Sequence, residues 1–543
     1  MHANAILGLR AGRREWIGLA VLTLPCLLYA MDLTVLNLAV PHLSADLRPS
    51  SVQLLWIVDV YGFLVAGLLI TMGTLGDRIG RRRLLLAGAA AFGVASLLAA
   101  LSTSAGMLIA ARALLGVAGA TVAPSTLSLI RNMFLDPRQR TVAISVWITS
   151  FSVGGAIGPL AGGVLLEWFW WGSVFLLAVP VMALLLVLGP ILLPEFRDPQ
   201  AGRLDLVSAG LSLAAVLLVI YGLKRIAQDG PGWPAALFIV AGLAVGVGFL
   251  RRQRALADPL LDLRLFRVPA FSAGLATNVL GFFVAFGAFL FIAQHLQLVL
   301  GLSPLRAGLW TVPSGGGFIV GSLLTPLLVR RLRPAFVMAG GLALAAVGFG
   351  LLTQVDGASG LAVLVTGSVV FSLGLAPVFT LATDLTVGVA PPERAGAASA
   401  ISETSSEFGG ALGIAILGSV AIAVYRSHVA DAVPAGVPSQ AAHAARDTLG
   451  GAVAVAGQLP DQPGQALLDV ARQAFTQGLQ LTFAVSAAVA IGIAILAAVL
   501  LRHVGAGSEP EEQPAPSQDG SCCAAKVGVV KLQGHTAQMR AES

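Results

Sequence analysis

Fourteen apolar segments, each of about 18 residues or more, run through this chain and are separated by charged or Pro- and Gly-containing breaks. A helix needs about 20 apolar residues to cross the hydrocarbon core of a bilayer. The sequence therefore predicts an all-α integral membrane protein with fourteen transmembrane helices. We expect these spans to begin near Trp16, Val52, Leu84, Ala105, Thr141, Trp171, Leu204, Pro234, Phe271, Leu305, Ala335, Gly360, Gly396 and Thr476.

The low charge content excludes a soluble protein. Of the 543 residues, 57% are hydrophobic and 11% are charged, whereas an ordinary globular domain has about 25% charged residues. Three cysteines, Cys26 in an apolar segment and Cys522 with Cys523 near the C-terminus, form neither a disulfide framework nor a zinc-ligand spacing. The sequence also lacks a nucleotide-binding glycine loop followed by Lys and Ser or Thr. We expect no cofactor, no metal and no use of ATP.

The basic residues divide unevenly between the two sides of the predicted bundle. Of the 33 Lys and Arg residues, 25 fall near the termini or in loops on the side of the N-terminus, 7 fall on the other side, and Arg112 lies inside a span. Lys224 is counted among those 7. Because basic loops tend to stay in the cytoplasm, we predict a multi-pass protein of the cell membrane with both termini cytoplasmic. The positive charge orients helices and does not indicate a nucleic-acid partner.

Two segments lie outside the predicted spans. Residues 425–475 are rich in Ala and are predicted to form an external hairpin, with helix-like stretches at 440–455 and 465–477 around a Leu-Pro-Asp-Gln-Pro turn. Residues 506–543 are rich in Glu, Pro, Gln and Ser, a composition typical of a disordered tail. The tail is expected in the cytoplasm.

Three ionisable residues lie at a similar depth in the N-terminal spans. At 1.5 Å per residue, Asp32 lies roughly 12 Å from the outer end of span 1, and Asp59 and Arg112 lie roughly 10 Å along spans 2 and 4. Such residues cost about 2.5 to 3.5 kcal/mol to insert, which makes each a functional candidate. We predict that Asp32 and Arg112 form an ion pair that responds to protons. Asp59 is predicted to bind a cationic substrate, or else only to hydrogen-bond a neighbouring helix.

Span 13 contains a second acidic group, Glu403 and Glu407, which are four residues apart and therefore share one helix face. Two carboxylates this close in a medium of low dielectric constant do not both ionise cheaply, so at least one is expected to be neutral at working pH. A carboxylate that changes its charge state can accept either a proton or a cationic drug. We predict that both glutamates take part in proton coupling and substrate binding. The alternative is a polar face that lines water.

Aromatic residues in several spans can bind planar cations through stacking and cation–π contacts. From this set, Tyr61, Phe286 and Trp310 are the predicted substrate contacts. Such residues more often face lipid or core, so we expect no more than half of the set to line a drug site. The full set is Tyr29, Trp56, Tyr61, Phe282, Phe283, Phe286, Phe289, Phe291, Trp310 and Phe318.

Two glycine-containing segments are predicted gates. Segment 73–83, between spans 2 and 3, is a tight loop in which an acid can face a helix N-terminus and pair with an arginine, so we predict a latch. In span 5, glycines recur every four residues and form a face without side chains, beside a proline that permits a bend. We predict that this face is a close contact between two half-bundles. The alternatives are a topological anchor and ordinary helix packing. The predicted gating residues are Gly73, Asp77, Arg78, Gly80, Arg81, Gly154, Gly158, Pro159 and Gly162.

Five segments in order resemble motifs of the major facilitator superfamily. Segment 73–83 is similar to its signature loop, 108–120 to its fourth-span motif with Leu115 where Gln is usual, and 154–163 to the antiporter motif of exporters. Segments 31–37 and 56–61 complete a pattern that resembles the fourteen-span drug:proton antiporters, which include the quaternary-ammonium-compound efflux pumps. The resemblance implies the major facilitator fold, two six-helix bundles plus two inserted spans. The implied division is 1–196 for the first bundle, 197–262 for the linker spans and 263–505 for the second bundle.

The resemblance also implies an activity. It implies a monomer that exports hydrophobic, monovalent cationic drugs, dyes or quaternary ammonium compounds by alternating access and is driven by the proton-motive force. In the family, the span-1 acid and the span-4 arginine, here Asp32 and Arg112, are implicated in proton coupling. Span 10 lacks the acid of the divalent-cation pumps, which favours monovalent cargo, and Asp384 in span 12 is expected to be a gate or cap residue. The alternatives are a natural-product exporter for self-resistance with neutral or anionic cargo, a membrane-embedded transferase, or a sensor.

Overall fold

The structure is a computed structural model that describes residues 11–197, 205–256, 259, 263–356, 360–388, 395–434 and 437–500. Fourteen helices in these ranges are long and apolar enough to cross a membrane, which confirms the predicted number. The tail predicted at 506–543 lies outside the described residues. In chain order, spans 1 to 14 are Arg13–Leu47, Ser51–Ile79, Arg81–Ala100, Ala105–Gly119 followed by Val122–Met133, Pro137–Trp168, Ser173–Leu176 followed by Ala178–Leu192, Leu206–Asp229, Trp233–Ala255, Pro269–Gln294 followed by a π-helical turn His295–Val299, Pro304–Val329, Pro334–Leu352, Gly360–Gly388, Ala395–Ala432 and Asp461–Leu500.

Spans 1 to 6 and spans 9 to 14 pack in the same order. In the first set the main neighbours are spans 1 and 5, 2 and 4, 3 and 4, and 3 and 6. In the second set they are spans 9 and 13, 10 and 12, 11 and 12, and 11 and 14, so that the same positions of the two sets are in contact. The N-terminal half (spans 1 to 6) and the C-terminal half (spans 9 to 14) are therefore two versions of one six-helix arrangement. This confirms the predicted fold class.

The halves meet along two equivalent pairs of spans, 2 with 13 and 5 with 10. Both contacts depend on glycine. A Cβ atom on Gly62 of span 2 would lie 3.2 Å from the Cβ atom of Ala411 in span 13. A Cβ atom on Gly308 of span 10 would lie 2.6 Å from the carbonyl oxygen of Pro159 in span 5. Because small residues let helix backbones approach closely, these glycines set the distance between the halves.

Hydrogen bonds join the halves near one surface of the bundle. We call the surface where span 1 begins the basic side and the other surface the opposite side. Near the opposite side, Nε2 of Gln297 donates to the carbonyl oxygen of Leu38 at 3.0 Å, and the backbone N of Leu305 donates to Oε2 of Glu167 at 3.3 Å. Together with the contact at Gly308, these bonds form what we call the opposite-side seal.

The linker spans 7 and 8 pack on each other, and span 7 lies against spans 2 and 13. Phe63 of span 2, Ile220 of span 7 and Ala411 of span 13 form a buried apolar cluster at this meeting point. The two spans are inserted between the halves in the sequence. In space, span 7 lies beside the contact of span 2 with span 13.

Asp205 ties the start of span 7 to the end of span 8. Its carboxylate accepts from the backbone N of Ser208 at 3.0 Å and pairs with Nη2 of Arg252 at 3.0 Å. Desolvation opposes ionisation, but the hydrogen bonds from Ser208 and Arg252 and the charge of Arg252 outweigh it and lower the pKa of Asp205 below its usual value. The ionised carboxylate therefore holds the linker spans together on the basic side.

The segment between spans 13 and 14 differs from the predicted hairpin at 425–475. Span 13 continues to Ala432 and span 14 begins at Asp461. Two short helices, Ser439–Asp447 and Leu449–Ala456, lie between them. The helical stretch predicted at 465–477 is the first part of span 14, so the helix begins at Asp461, well before the predicted start near Thr476. Hydropathy detects only the lipid-spanning part of such a helix, because its polar extension has no long apolar run.

Gly308→Val should weaken the opposite-side seal, because its side chain would occupy the position of the Pro159 carbonyl oxygen. Gly315 of the same span is the matched control, since a Cβ atom there meets no heavy atom within 4 Å. Leu38 lies 3.6 Å from the same Gly308 position. A cysteine replacing Leu38 should react with maleimide about tenfold faster in a Gly308→Val background, which corresponds to about 1.4 kcal/mol in the opening equilibrium. Equal rates with Gly308→Val and Gly315→Val would contradict the role of Gly308.

Candidate functional site

The predicted ion pair between spans 1 and 4 is present. Nη1 of Arg112 donates to Oδ2 of Asp32, and Arg112 is fully buried. Its Nε also donates to the carbonyl oxygen of Ile57 at 3.1 Å, and its Nη2 to that of Val58 at 3.4 Å. A guanidinium group has five N–H donors in a fixed plane, so one side chain can bind a carboxylate and two carbonyl groups at once. Arg112 therefore joins spans 1, 2 and 4.

Span 13 brings Glu403 and Glu407 to the contact with the N-terminal half. In span 9, Nδ2 of Asn278 donates to the hydroxyl groups of Ser405 and Ser406, each at 2.8 Å, which fixes the rotation of span 13. The two glutamates lie on the other face, where both interact electrostatically with Tyr29 of span 1. In the described part of the chain, neither glutamate has a Lys, Arg or His within 4.0 Å.

A pocket lies between spans 2, 9 and 13. Its lining includes Asp59 and Gly62 from span 2, Phe282 and Phe286 from span 9, and Glu407 from span 13. The two phenylalanine rings are 5.8 Å apart. Carboxylates beside aromatic faces are the groups that bind organic cations. Three predicted substrate contacts, Asp59, Phe286 and Glu407, therefore lie in one pocket, while Glu403 lies one helical turn nearer the basic side.

Asp59 has a cationic partner that sequence reasoning missed. Nζ of Lys224 in span 7 lies 2.9 Å from Oδ1 and 2.7 Å from Oδ2 of Asp59, and both side chains are fully buried. The same Nζ lies 3.8 Å from the ring centroid of Trp56. The prediction that Lys224 lies in a loop was wrong, because span 7 continues to Asp229 and packs on span 2. The signal was available: Lys224 directly follows an apolar run, at about the depth of Asp59 in span 2.

Tyr61 lies between the two acidic groups. Its ring is 4.7 Å from Cζ of Arg112 and 6.0 Å from the ring of Tyr29. Among the described residues its buried hydroxyl has no hydrogen-bond partner, and it interacts electrostatically with Asp32 and Glu407. Tyr61 was predicted to contact the substrate. The structure places it next to the ion pair, behind the residues that line the pocket.

Two predicted residues lie away from this group. Trp310 of span 10 is 43% exposed and is not among the residues that line the pocket. Asp384 of span 12 is also exposed. The structure therefore gives no support to a shared site for Trp310 and Glu407.

The loop between spans 2 and 3 is shorter than segment 73–83 suggests, because Gly80 alone separates the two helices. Gly80 has φ +113°, a conformation that favours glycine. Nε of Arg81 donates to Oδ1 of Asp77 at 2.7 Å, so the predicted acid–arginine contact is present. Arg81 also donates to the carbonyl oxygen of Pro124 in span 4 at 3.3 Å, and a Cβ atom on Gly73 would lie 3.7 Å from the Pro124 side chain. Arg78 is exposed.

A further acid, Glu195, completes this loop and was not predicted. Its carboxylate accepts from the backbone N of Arg82 at 3.2 Å and lies 3.5 Å from Nε of Arg82. A Cβ atom on Gly80 would lie 2.5 Å from Oε1 of Glu195. The contacts of Asp77, Arg81 and Glu195 described here therefore tie together spans 2, 3 and 4 and the segment that follows span 6.

The glycine face of span 5 packs on span 1 of its own half. A Cβ atom on Gly154 would lie 2.2 Å from the carbonyl oxygen of Leu27, and one on Gly158 would lie 2.1 Å from Oγ1 of Thr34. Gly162 faces Val35 in the same way. The prediction that Gly154, Gly158 and Gly162 form the contact between half-bundles was therefore wrong. A smooth face needs a close neighbour, but periodicity does not say which neighbour. Pro159, which directly follows Gly158, does contact the other half, at Gly308.

Comparison with known proteins identifies the family. Residues 23–414 match the model of the Major Facilitator Superfamily. The chain belongs to the major facilitator superfamily. Its fold agrees with that assignment: a bacterial homolog to human lysosomal transporter Spinster, solved in an inward-facing and unoccupied conformation, matches with a TM-score of 0.64 at 19% identity, over 90% of this chain and 98% of that one.

Several curated members of the superfamily are similar over most of their length. The multidrug efflux pump LfrA of Mycolicibacterium smegmatis is 46% identical over 494 residues, which cover 91% of this chain and 98% of that protein. The methyl viologen resistance protein SmvA of Salmonella typhimurium is 38% identical over 85% of this chain and 93% of its own. The tetracenomycin C resistance and export protein of Streptomyces glaucescens is 33% identical over 94% and 96%.

Membership in the superfamily settles the class of protein. The chain is a multi-pass membrane transporter and not an enzyme. The resemblance of its five motifs to the superfamily is thereby confirmed, and the alternative of a membrane-embedded transferase is excluded.

Arg112→Leu should destabilise the protein by about 3 to 5 kcal/mol, because it leaves Asp32 unpaired in a medium of low dielectric constant. Adding Asp32→Asn removes the unpaired charge and should recover part of the loss. Thermal unfolding of purified variants measures both effects, and Arg78→Leu at an exposed position is the matched control. A double variant no more stable than Arg112→Leu alone would contradict the importance of the ion pair.

Proposed function

We propose that this transporter exports lipophilic organic cations across the cell membrane in exchange for protons. The observation that carries the proposal is the pocket between the halves, where Glu407 lies with Phe282 and Phe286 and has no basic partner among the described residues. Either a proton or an organic cation can neutralise Glu407. Because the two exclude each other, uptake of a proton favours release of the cation.

The relatives support this class of cargo. LfrA is named a multidrug efflux pump, and SmvA is named for resistance to methyl viologen, which is an organic cation. The proposed energy source is the proton-motive force, with no cofactor. Each elementary charge that crosses 100 mV is worth about 2.3 kcal/mol, and the pH difference adds to this.

The proposed cycle uses alternating access by a monomer. Both termini lie in the cytoplasm, so the opposite-side seal closes the pocket toward the exterior. The proposed units are the six-helix bundle at 1–196, the linker spans at 197–262 and the second bundle at 263–505. Arg112 already binds the backbone of span 2 and stacks on the Tyr61 ring. Protonation of Asp32 releases Arg112 from the ion pair. Span 2 in turn packs on span 13, so the ion pair can influence the pocket.

The charges of the pocket favour monovalent cargo in this conformation. Lys224 neutralises Asp59, which leaves Glu407 as the remaining carboxylate of the lining. Span 10 contains no acidic residue that could add a second free carboxylate to the pocket. One negative charge beside aromatic rings matches a lipophilic monocation.

A second candidate is export of a natural product for self-resistance. The tetracenomycin C resistance and export protein of Streptomyces glaucescens favours it, with 33% identity over nearly the whole chain. Growth of an expressing strain on dyes, quaternary ammonium compounds and antibiotics distinguishes the two. Resistance confined to uncharged or anionic antibiotics would support the second candidate.

Glu407→Gln should abolish exchange, because an amide neither takes up a proton nor carries a charge. In proteoliposomes with an imposed pH gradient, the wild type should move tetraphenylphosphonium and protons in opposite directions, and Glu407→Gln should reduce both fluxes at least about tenfold. Asp431→Asn is the matched control, since Asp431 is an exposed acid of the same helix, span 13, that lies outside the pocket lining. Wild-type fluxes in Glu407→Gln, or cation flux without proton flux, would overturn the proposal.

A further inference from the structure

The pair of Asp59 and Lys224 is not required by the exchange at Glu407, yet it lies beside the same pocket. Lys224 comes from span 7, which belongs to neither half. Its side chain and that of Asp59 are both fully buried. Breaking a buried pair is costly, but replacing both partners with apolar residues is often neutral or stabilising. Stability alone therefore does not explain why the linker supplies a lysine at this position.

The surroundings of the Lys224 ammonium group resemble a binding site for an organic cation. Asp59 offers both carboxylate oxygens, at 2.9 and 2.7 Å, and Trp56 offers its ring face, with the centroid at 3.8 Å. A carboxylate and an aromatic face are the two groups that recognise quaternary ammonium and pyridinium compounds. The ammonium group of Lys224 therefore occupies a site whose groups, a carboxylate and an aromatic ring, would also bind an organic cation.

Asp59 also lines the pocket that contains Glu407. The close approach of Gly62 to Ala411, with the Glu407 carbonyl oxygen 4.0 Å from the same Cβ position, brings span 2 against span 13 at this level. The carboxylate of Asp59 is therefore shared between the pocket and Lys224. A lysine has a flexible stem of four carbons, so its ammonium group can leave the carboxylate without movement of the helix.

We propose that Asp59 and Trp56 form a second cation subsite of the pocket, for dicationic cargo, and that Lys224 occupies this subsite when no dication is bound. The inference rests on the proposed function. With Lys224 in place the pocket has one free carboxylate, Glu407, and accepts a monocation. When a dication displaces the ammonium group, the two carboxylates neutralise its two charges. Asp59 of span 2 and Glu407 of span 13 then supply the two carboxylates, so an acid in span 10 is not needed. Lys224 sets the preference between monovalent and divalent cargo.

The test compares a dication and a monocation in the same proteoliposomes. Methyl viologen and tetraphenylphosphonium are the probes, and the readout is the ratio of their kcat/KM values. Lys224→Gln removes the internal competitor and should raise the ratio of dication to monocation about tenfold. Arg225→Gln, the neighbouring basic residue, which is partly exposed and pairs with Asp229 at 3.2 Å, is the matched control and should leave the ratio unchanged. Lys224→Arg restores a cation and should bring the ratio back down.

Two further variants separate a subsite from a merely structural pair. In Asp59→Asn/Lys224→Gln both charges of the pair are removed together, so neither is left without its partner, and the rise in the ratio should disappear because the second carboxylate is gone. Trp56→Leu in the Lys224→Gln background should lower dication transport more than monocation transport. An unchanged ratio in Lys224→Gln, or a raised ratio that persists in the double variant, would overturn the inference.

Calorimetric binding of both probes to the detergent-purified variants makes the same comparison without transport. If the wild type moves neither probe, the proposed exchange is wrong, and the binding ratios still decide the subsite. If the wild type moves tetraphenylphosphonium and the binding ratio does not change in Lys224→Gln, the exchange stands and the subsite is wrong.

Discussion

The cost of an ionised group in the hydrocarbon core organises the whole site. Arg112 of span 4 forms an ion pair with Asp32, and Lys224 of span 7 forms one with Asp59, so each of these basic groups is neutralised by an acid. Glu403 and Glu407 differ, because in the described part of the chain neither has a Lys, Arg or His within 4.0 Å. These two acids depend on a mobile partner for neutralisation. A proton and a cationic cargo are the mobile partners available in a membrane transporter.

Close backbone contacts position these charges. The side chain of Thr34 in span 1 occupies the space where a Cβ atom on Gly158 would lie. Thr34 is two residues from Asp32. At the contact of the halves, Gly62 packs against Ala411. Gly62 lies three residues after Asp59, and Ala411 lies four residues after Glu407. One glycine thus orients the ion pair of the N-terminal half, and the other brings Asp59 near Glu407. Larger residues at these positions would separate charged groups whose interaction depends on distance.

The apolar runs were sufficient to predict fourteen spans, and residue depth placed Asp32 at the level of Arg112, because helix rise converts sequence position into depth. Depth says nothing about which helices are neighbours. For that reason the glycine face of span 5 was assigned to the wrong partner, and Trp310 was grouped with a pocket that it does not line. Lys224 was missed because a charge at the end of an apolar run also fits a loop. The packing of Ile220 beside Phe63 shows that this part of span 7 is buried.

The two halves repeat one helix arrangement, but their charges do not repeat. The N-terminal half holds an acid neutralised by its own arginine, and the C-terminal half holds two acids without a basic partner among the described residues. A change in the charge of either group therefore acts at the contact of span 2 with span 13. Span 7 lies beside that contact and is free of the constraints of the repeat, since no equivalent helix must pack in the other half. A charge on span 7 can change the pocket without changing how either six-helix bundle folds, which is why Lys224 is well placed to adjust the choice of cargo.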